Sequence, residues 1–298
     1  GAEPVAAPQQ EQLFVFGTPT AGLPASTYKL CWGWNAAGDP TQLVRFQVEV
    51  GAARLAGPQQ IGEARCTLGR SCTVSFSGLQ LSTANRVQIT ESCGTEALSF
   101  IGFEADKGPL IYSSQSRASM QFGTATRGPV GTLALCWAAS SAEQAQVNIG
   151  ALTMTGPTFS TVQCVLGLPC VLSLTGEGLS SANWIGAYSG EVCGSGSVVY
   201  YAGWVGNPFR LPSSGNQVNV SVGTASRGSP ATDILLCWRE TSSGGLGYNV
   251  DAGRLDMLGP QAGVSVACSK GAQCFVTISM IGGEVFPGSI WVASGSCA

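Results

Sequence analysis

The stretch Cys164-Val165-Leu166-Gly167-Leu168-Pro169-Cys170 decides the fold, because a cysteine pair with this spacing occurs three times in the chain. The other two pairs are Cys66 with Cys72 and Cys268 with Cys274, and each encloses a glycine at the same place. Glycine adopts positive φ without steric cost, so a tight reversal there lets the two cysteines face each other across antiparallel strands. The sequence therefore predicts three β-hairpins, each closed by its own disulfide.

The second strand of each hairpin carries apolar residues at every other position. The three alternating sets are Cys72, Val74 and Phe76; Cys170, Leu172 and Leu174; and Cys274, Val276 and Ile278. Serine and threonine fill most of the positions between them, a pattern typical of a half-buried antiparallel strand. The hairpin cysteines are therefore expected on the core side.

Further motifs recur around the hairpins in the same order. The shared elements are a Leu-Cys-Trp triplet, a glycine followed by Gly-Pro, and a fourth cysteine after the hairpin. They occur at Cys31, Cys136 and Cys237; at Gly57-Pro58, Gly156-Pro157 and Gly259-Pro260; and at Cys93, Cys193 and Cys297. Self-similarity of this kind indicates three copies of one unit.

The repeats predict an all-β chain of three tandem immunoglobulin-like β-sandwich domains, each with two disulfides. The expected organisation is an extended arm at residues 1–10, then repeats at 11–112, 113–213 and 214–298, the third lacking its last strand and linker. An antibody-type domain is not expected, because cysteine and tryptophan are adjacent in each triplet and point to opposite faces of a strand.

The twelve cysteines divide evenly over the repeats, which favours disulfides and an oxidising compartment. A structural zinc site is the alternative, but the chain has no histidine and five residues separate the paired cysteines. Four cysteines allow three pairings per repeat. The favoured one combines the hairpin pair with a long-range pair: Cys31 to Cys93, Cys136 to Cys193 and Cys237 to Cys297.

The three triplet tryptophans have two interpretations. If Cys31, Cys136 and Cys237 face the core, Trp32, Trp137 and Trp238 face outward, either against the next domain or under a loop of their own domain.

Composition excludes several functions. With 14 basic against 17 acidic residues, the chain has no clustered basic face for nucleic acid. It has no apolar run of twenty residues for direct membrane insertion. Without histidine, a nucleophile elbow or a phosphate loop, no enzymatic activity and no metal or cofactor are predicted.

A secreted or cell-surface location is expected from the cysteines, with any leader already removed. Asn219-Val220-Ser221 is a glycosylation sequon and is consistent with that location.

The combined motif set, together with Leu174-Thr-Gly-Glu-Gly-Leu179 and Cys193-Gly194, resembles a tandem repeat of large cysteine-rich extracellular proteins from alveolate protists, the dinoflagellates and their relatives. The resemblance covers residues 11–298. It implies a secreted or surface structural component of the kind that builds flagellar hairs, or mastigonemes, and surface-coat fibres.

We therefore expect a head-to-tail homopolymer, assembled through the N-terminal arm and the third repeat. The assembly residues would be Pro4, Val5, Pro8, Leu13 and Val15. Simple truncation of a longer chain is the alternative explanation of the short third repeat. A second functional hypothesis is an adhesin or carbohydrate-binding module, which would bind glycans through Trp34, Trp184 and Trp204 on exposed loops.

Overall fold

The computed structural model describes residues 13–24, 26–33, 46–107, 111–114, 116–241, 247–282 and 290. These residues form β-strands and no helix. The strands are β1 Thr27–Trp32, β2 Val48–Arg54, β3 Gly57–Pro58, β4 Glu63–Thr67, β5 Ser71–Leu79, β6 Arg86–Thr90, β7 Ile101–Phe103, β8 Asp106–Lys107, β9 Ile111–Ser114, β10 Arg117–Arg127, β11 Gly131–Ala138, β12 Val147–Pro157, β13 Ser160–Val165, β14 Pro169–Leu179, β15 Trp184–Ser189, β16 Ser197–Val198, β17 Ala202–Trp204, β18 Phe209–Arg210, β19 Gly215–Arg227, β20 Ala231–Arg239, β21 Val250–Pro260 and β22 Met280–Ile281. The described part of the chain is thus all-β, as predicted.

The first two cysteine hairpins form between strands as the sequence indicates, whereas the third has the turn and the disulfide but no strand at 263–279. Cys66–Cys72, Cys164–Cys170 and Cys268–Cys274 are each disulfide-bonded. The reversals use glycine at positive φ: +80° at Gly69, +86° at Gly167 and +85° at Gly271. Burial alternates along β5 and β14 with the cysteines inside. Local sequence alone therefore accounts for these elements.

Two sandwiches are complete within the described residues. In the first, the sheet β3-β5-β10-β7, with β9 also on β10, shares its core with a sheet containing β4, β12, β11, β6 and β8. In the second, β14, β19 and β17 share their core with β13, β21, β20, β15 and β16, with β18 also on β15. Each has one hairpin disulfide and one long-range disulfide.

The Gly-Pro motif marks the point where one strand passes from one sandwich to the next. Most of β12 pairs with β11 and β4, but its end, Gly156-Pro157, pairs with Glu177 and Gly176 of β14. The backbones approach so closely that a Cβ on Gly176 would lie 2.2 Å from the carbonyl oxygen of Gly156. Gly57-Pro58 and Gly259-Pro260 pair in the same way, with β5 and β22 respectively.

The sandwiches do not coincide with the sequence repeats. Strands on opposite sides of the predicted boundary at residue 112 pair directly, β5 with β10 and β6 with β11. Across the boundary at 213, β14 pairs with β19 and β15 with β20. Each sandwich therefore combines the second half of one repeat with the first half of the next.

This half-repeat offset corrects the long-range disulfides. The bonds are Cys93–Cys136 and Cys193–Cys237, not the predicted Cys31–Cys93 and Cys136–Cys193. The reason is strand adjacency: β6 lies beside β11 with Gln88 opposite Cys136, and Cys93 follows shortly after β6. The predicted bond from Cys237 to Cys297 is likewise replaced by that from Cys237 to Cys193, and Cys297 lies outside the described residues.

The triplet tryptophans also differ from expectation. Trp238 is 1% exposed within the main core, and Trp137 packs against that core. Cys136 and Cys237 are buried as well, in smaller clusters on the other face of the same strands. Adjacent side chains do point to opposite faces, but both faces are covered, so only Trp32 of the three is exposed, at 42%.

Candidate assembly interface

The junction between consecutive repeats is built in the same way twice. Along β6 and β11, Ile89 lies opposite Leu135, and along β15 and β20, Ala187 lies opposite Leu236. All four side chains are buried. This antiparallel pair is the centre of each junction.

A second, parallel strand pair flanks the first. β4 runs beside β12, and β13 runs beside β21. Thr67 and Thr155 share a hydroxyl hydrogen bond of 2.8 Å, and Thr153 donates one of 2.6 Å to the Glu63 carboxylate. The bond from Thr153, helped by the nearby Arg65 guanidinium, lowers the pKa of Glu63. Polar side chains thus reinforce the backbone ladder between repeats.

Two buried asparagines complete the junction, and the sequence analysis missed them. The Asn85 amide donates to the carbonyl of Ala139 at 2.7 Å, and the Asn183 amide donates to the carbonyl of Glu240 at 2.6 Å. Each side-chain oxygen also accepts from the backbone N–H three residues earlier, at Ser82 or Ser180. The signal was present as Leu-Ser-x-Ala-Asn at 81–85 and 179–183.

Arg86 ties the first junction from its rim. Its guanidinium pairs with Asp106 and donates to the carbonyls of Ser141 at 3.4 Å and Glu143 at 3.3 Å, both in the next repeat. The hydrogen bonds from Arg86 lower the pKa of Asp106, which keeps this carboxylate charged.

Aromatic side chains cover the second long-range disulfide. Tyr188 and Tyr248 lie 5.4 Å apart between ring centroids, in the cluster that holds Cys193 and Cys237. The Arg239 guanidinium lies 4.7 Å from the Tyr248 centroid. Burial, followed by the neighbouring Tyr248, raises the pKa of Tyr188 to about 12. These rings pack in the same cluster as the disulfide, where Cys237 is fully buried and Cys193 is half-buried.

The tip of the first hairpin connects the two sandwiches. Leu68 packs on Gly156, where an added Cβ would lie 2.8 Å from the leucine, and the Leu68 N–H donates to the carbonyl of Thr155 at 2.9 Å. Arg70 forms an ion pair with Glu240 beside a cavity of 230 Å³. A hairpin from one repeat therefore contacts strands of the repeat two further along.

The first half of repeat one has the same local structure as its counterparts. β1 and β2 pair with Leu30 opposite Gly51 and Cys31 opposite Glu49, with a bulge between them. The pairs β11–β12 and β20–β21 repeat this register and bulge. Among the described strands, β1 and β2 pair only with each other, and among the described cysteines only Cys31, which is exposed, lacks a disulfide.

The segment before β1 is exposed where its counterparts are buried. Phe16 is 84% exposed, whereas Phe122 at the same repeat position is 1% exposed in β10. Beside this segment lies a groove of 780 Å³. Gly57 and Trp137 line this groove. Gly57 is the repeat equivalent of Gly156, the glycine that Leu68 contacts one repeat later.

The second half of repeat three shows the complementary exposure. Phe275 is 76% exposed, and Val264, Val266, Val276 and Met280 are exposed as well. Cys268 and Cys274 are exposed too, whereas the equivalent hairpin cysteines of the other repeats are buried. The described part of the chain therefore presents one uncovered half-sandwich near each end.

The predicted assembly, glycosylation and glycan-binding residues differ in where the structure places them. Leu13 and Val15 are exposed at 88% and 84%, and Asn219 is exposed in β19, whereas Pro4, Val5, Pro8 and Trp34 lie outside the described residues. Trp184 is half-buried in β15. Trp204 packs against Tyr201 and Phe209 at centroid distances of 4.8 and 5.5 Å. Trp184 and Trp204 therefore lie in strands and not on exposed loops.

The described residues contain no group of three or more His, Cys, Asp or Glu side chains arranged to hold a metal, and no helix long and apolar enough to cross a membrane.

No family model and no curated protein matches the chain. Solved structures that align with it include the teleost fish polymeric Ig receptor ectodomain, at 10% identity over 67% of this chain and 98% of that one, with a TM-score of 0.23. Another is the I9–I11 tandem of titin, at 5% identity over 67% of this chain and 65% of that one, with a TM-score of 0.24.

Proposed function

We propose that this protein is an extracellular structural subunit that polymerises head-to-tail into a filament or surface coat. The observation that carries the proposal is that consecutive repeats share sandwiches. β12 pairs with strands of both complete sandwiches, the end of β21 pairs with β22 beyond the second sandwich, and each long-range disulfide joins two repeats. Such sharing couples each repeat to its neighbour through both backbone pairing and a covalent bond, which suits a subunit of a fibre.

The five disulfides among the described cysteines support a location in an oxidising compartment. The polymer would be a homopolymer joined through the N-terminal region and the third repeat. Glycan attachment at Asn219 is compatible with it, because this side chain is exposed on β19. A glycan-binding role for Trp34, Trp184 and Trp204 stays a prediction.

Electron microscopy of the native, unreduced protein tests the proposal. We expect regular fibres whose axial repeat matches the length of one subunit. Reduction under native conditions should shorten or disperse them, since disulfides hold consecutive repeats together. Dispersed particles of single chains in the unreduced sample would contradict a structural polymer.

A further inference from the structure

The two uncovered half-sandwiches of this chain are complementary to each other. The half near the N-terminus contains segment 13–24 and the hairpin β1–β2, which correspond to β10, β11 and β12. The half near the C-terminus contains the third hairpin and the residues after it, which correspond to β4, β5 and β6. Those are the two sets of strands that form the first complete sandwich.

We propose that the N-terminal half-sandwich binds the C-terminal half-sandwich of a second copy, with a disulfide between Cys31 and Cys297 of that copy. This inference rests on the proposed polymer and identifies its interface. The chain itself provides the precedent twice, because β11–β12 and β20–β21 are completed by the preceding repeat in this way.

The edge of β1 would receive the segment from Ile290 to Ala293. Ile290-Trp-Val-Ala-Ser-Gly295 has the same pattern as Ile185-Gly-Ala-Tyr-Ser-Gly190, whose first residues pair with β20. Transfer of that register places Val292 opposite Leu30, as Ala187 lies opposite Leu236. Leu30 is half-buried here, whereas Leu135 and Leu236 are fully buried. Docking would therefore remove the apolar face of β1 from water.

Segment 13–18 would pair with the apolar-alternating stretch 274–278 that follows the third turn. In the complete sandwiches, Met120 lies opposite Val74 and Val220 lies opposite Leu172, all four buried. The equivalent residues are Phe14 on one side and Val276 on the other, and both are exposed. Joining them reproduces this pairing and covers the apolar residues of both ends in one step.

The third hairpin would then enter the groove beside Gly57 and Trp137. Its tip carries Lys270 in place of Leu68 and Leu166. The aliphatic stem of a lysine can cover an aromatic ring while its ammonium group stays in water.

The disulfide forms by exchange with a small-molecule disulfide such as oxidised glutathione. The Cys31 thiolate attacks one glutathione sulfur and releases one glutathione thiolate. The Cys297 thiolate of the second copy then attacks the Cys31 sulfur and releases the second one. Two protein thiols are oxidised and one glutathione disulfide is reduced to two thiols, so electrons and protons balance.

A second copy is the proposed partner because the intervening chain keeps the two halves apart. The described residues between 57 and 260 form two complete sandwiches, which are joined by β12 and by the Leu68 contact. Closure within one chain would require these stacked sandwiches to fold back on themselves.

Two single variants test the inference directly. Of the two cysteines in the proposed bond, the variant Cys31→Ser retains only Cys297, and the variant Cys297→Ser retains only Cys31. In a glutathione redox buffer, a mixture of the two full-length variants should yield a disulfide-linked dimer and no larger species. Neither variant alone should form this dimer, and peptide mapping should identify the Cys31–Cys297 bond.

Matched substitutions in the Cys297→Ser partner separate docking from random oxidation. Leu30→Asp places a charge at the buried position and should lower dimer yield about tenfold or more. Thr27→Asp, on the same strand at a position exposed in the complete sandwiches, should leave the yield unchanged. Circular dichroism confirms that both variants keep their strands. Equal yields would overturn the inference.

Mixed isotopes decide between two copies and one. Light and heavy wild-type chains refolded together should give Cys31–Cys297 peptides with mixed labels. Peptides of uniform label would mean closure within one chain and would overturn the inference. Native fibres without this bond would overturn the interface but leave the proposed function intact. Disulfide-linked dimers with no native fibres would support the interface and overturn the proposed function.

Discussion

Cys31 and Cys136 occupy the same repeat position and differ in what surrounds them. Both lie on a strand paired with a glycine-containing neighbour in the same register. Cys136 is fully buried in a bond to Cys93, whereas Cys31 is exposed and has a thiol. The difference comes from β6, which covers one strand and not the other. A residue's environment in this protein is thus decided by the repeat before it.

Removal of the Cys93–Cys136 bond should destabilise the first sandwich. It closes a loop with a sequence separation of 43, so the double variant Cys93→Ser with Cys136→Ser should lose about 4 kcal/mol of unfolding free energy in the chain-entropy treatment. Denaturant unfolding of the monomer measures the loss. Cys31→Ser is the matched control and should leave the stability unchanged. Equal stabilities for the control and the double variant would show that the bond contributes nothing.

At the scale of the element, the Gly-Pro ends of β3, β12 and β21 couple neighbouring sandwiches. Each is bonded to a strand of the following sheet. In the first two, the partner residue is a glycine, Gly78 or Gly176, because no side chain fits between the backbones. The motif therefore has a steric role at a crossing point.

Gly176→Ala should separate β12 from β14. The new Cβ would lie 2.2 Å from the Gly156 oxygen and 2.8 Å from the Pro157 Cα, both backbone atoms that cannot rotate away. We expect a loss of about 1–3 kcal/mol, as for overpacking in a core. Gly247→Ala, with no atom within 4 Å of its Cβ, is the control. Thermal unfolding that fails to distinguish the two variants would refute the steric role.

At the scale of the whole molecule, the folding unit is offset from the repeating unit. The first sandwich extends from β3 to β12 and takes strands from repeats one and two. The sequence repeat at 113–213 contains the first half of one sandwich core and the second half of another. It lacks the partners that cover its apolar faces.

Excised fragments test this offset. Residues 57–157 should fold after oxidation, with dispersed amide resonances in NMR spectra and a cooperative thermal transition. Residues 113–213, a fragment of equal length, should remain unfolded or aggregate, because β10, β11 and β15 lose β5, β6 and β20. A folded 113–213 fragment with a disordered 57–157 fragment would show that the repeat is the folding unit after all.

Sequence by itself determined the local structure of this protein. The alternation along β5 and β14, the reversals at Gly69 and Gly167, and the bonds across each hairpin depend on neighbours close in the chain. These features were predictable because period and turn chemistry act over a few residues. The repeat count and the all-β class follow from the same patterns.

Only the tertiary structure decided which halves pair. To Cys93, the triplets at Cys31 and Cys136 are chemically equivalent, because both repeats carry the same motif at the same place. No local property distinguishes pairing within a repeat from pairing with the next one. Packing makes the choice: β6 lies against β11, the carbonyl of Ala139 accepts from Asn85, and the bond forms to Cys136. A repeated sequence specifies the contacts, and the folded chain specifies between which copies they are made.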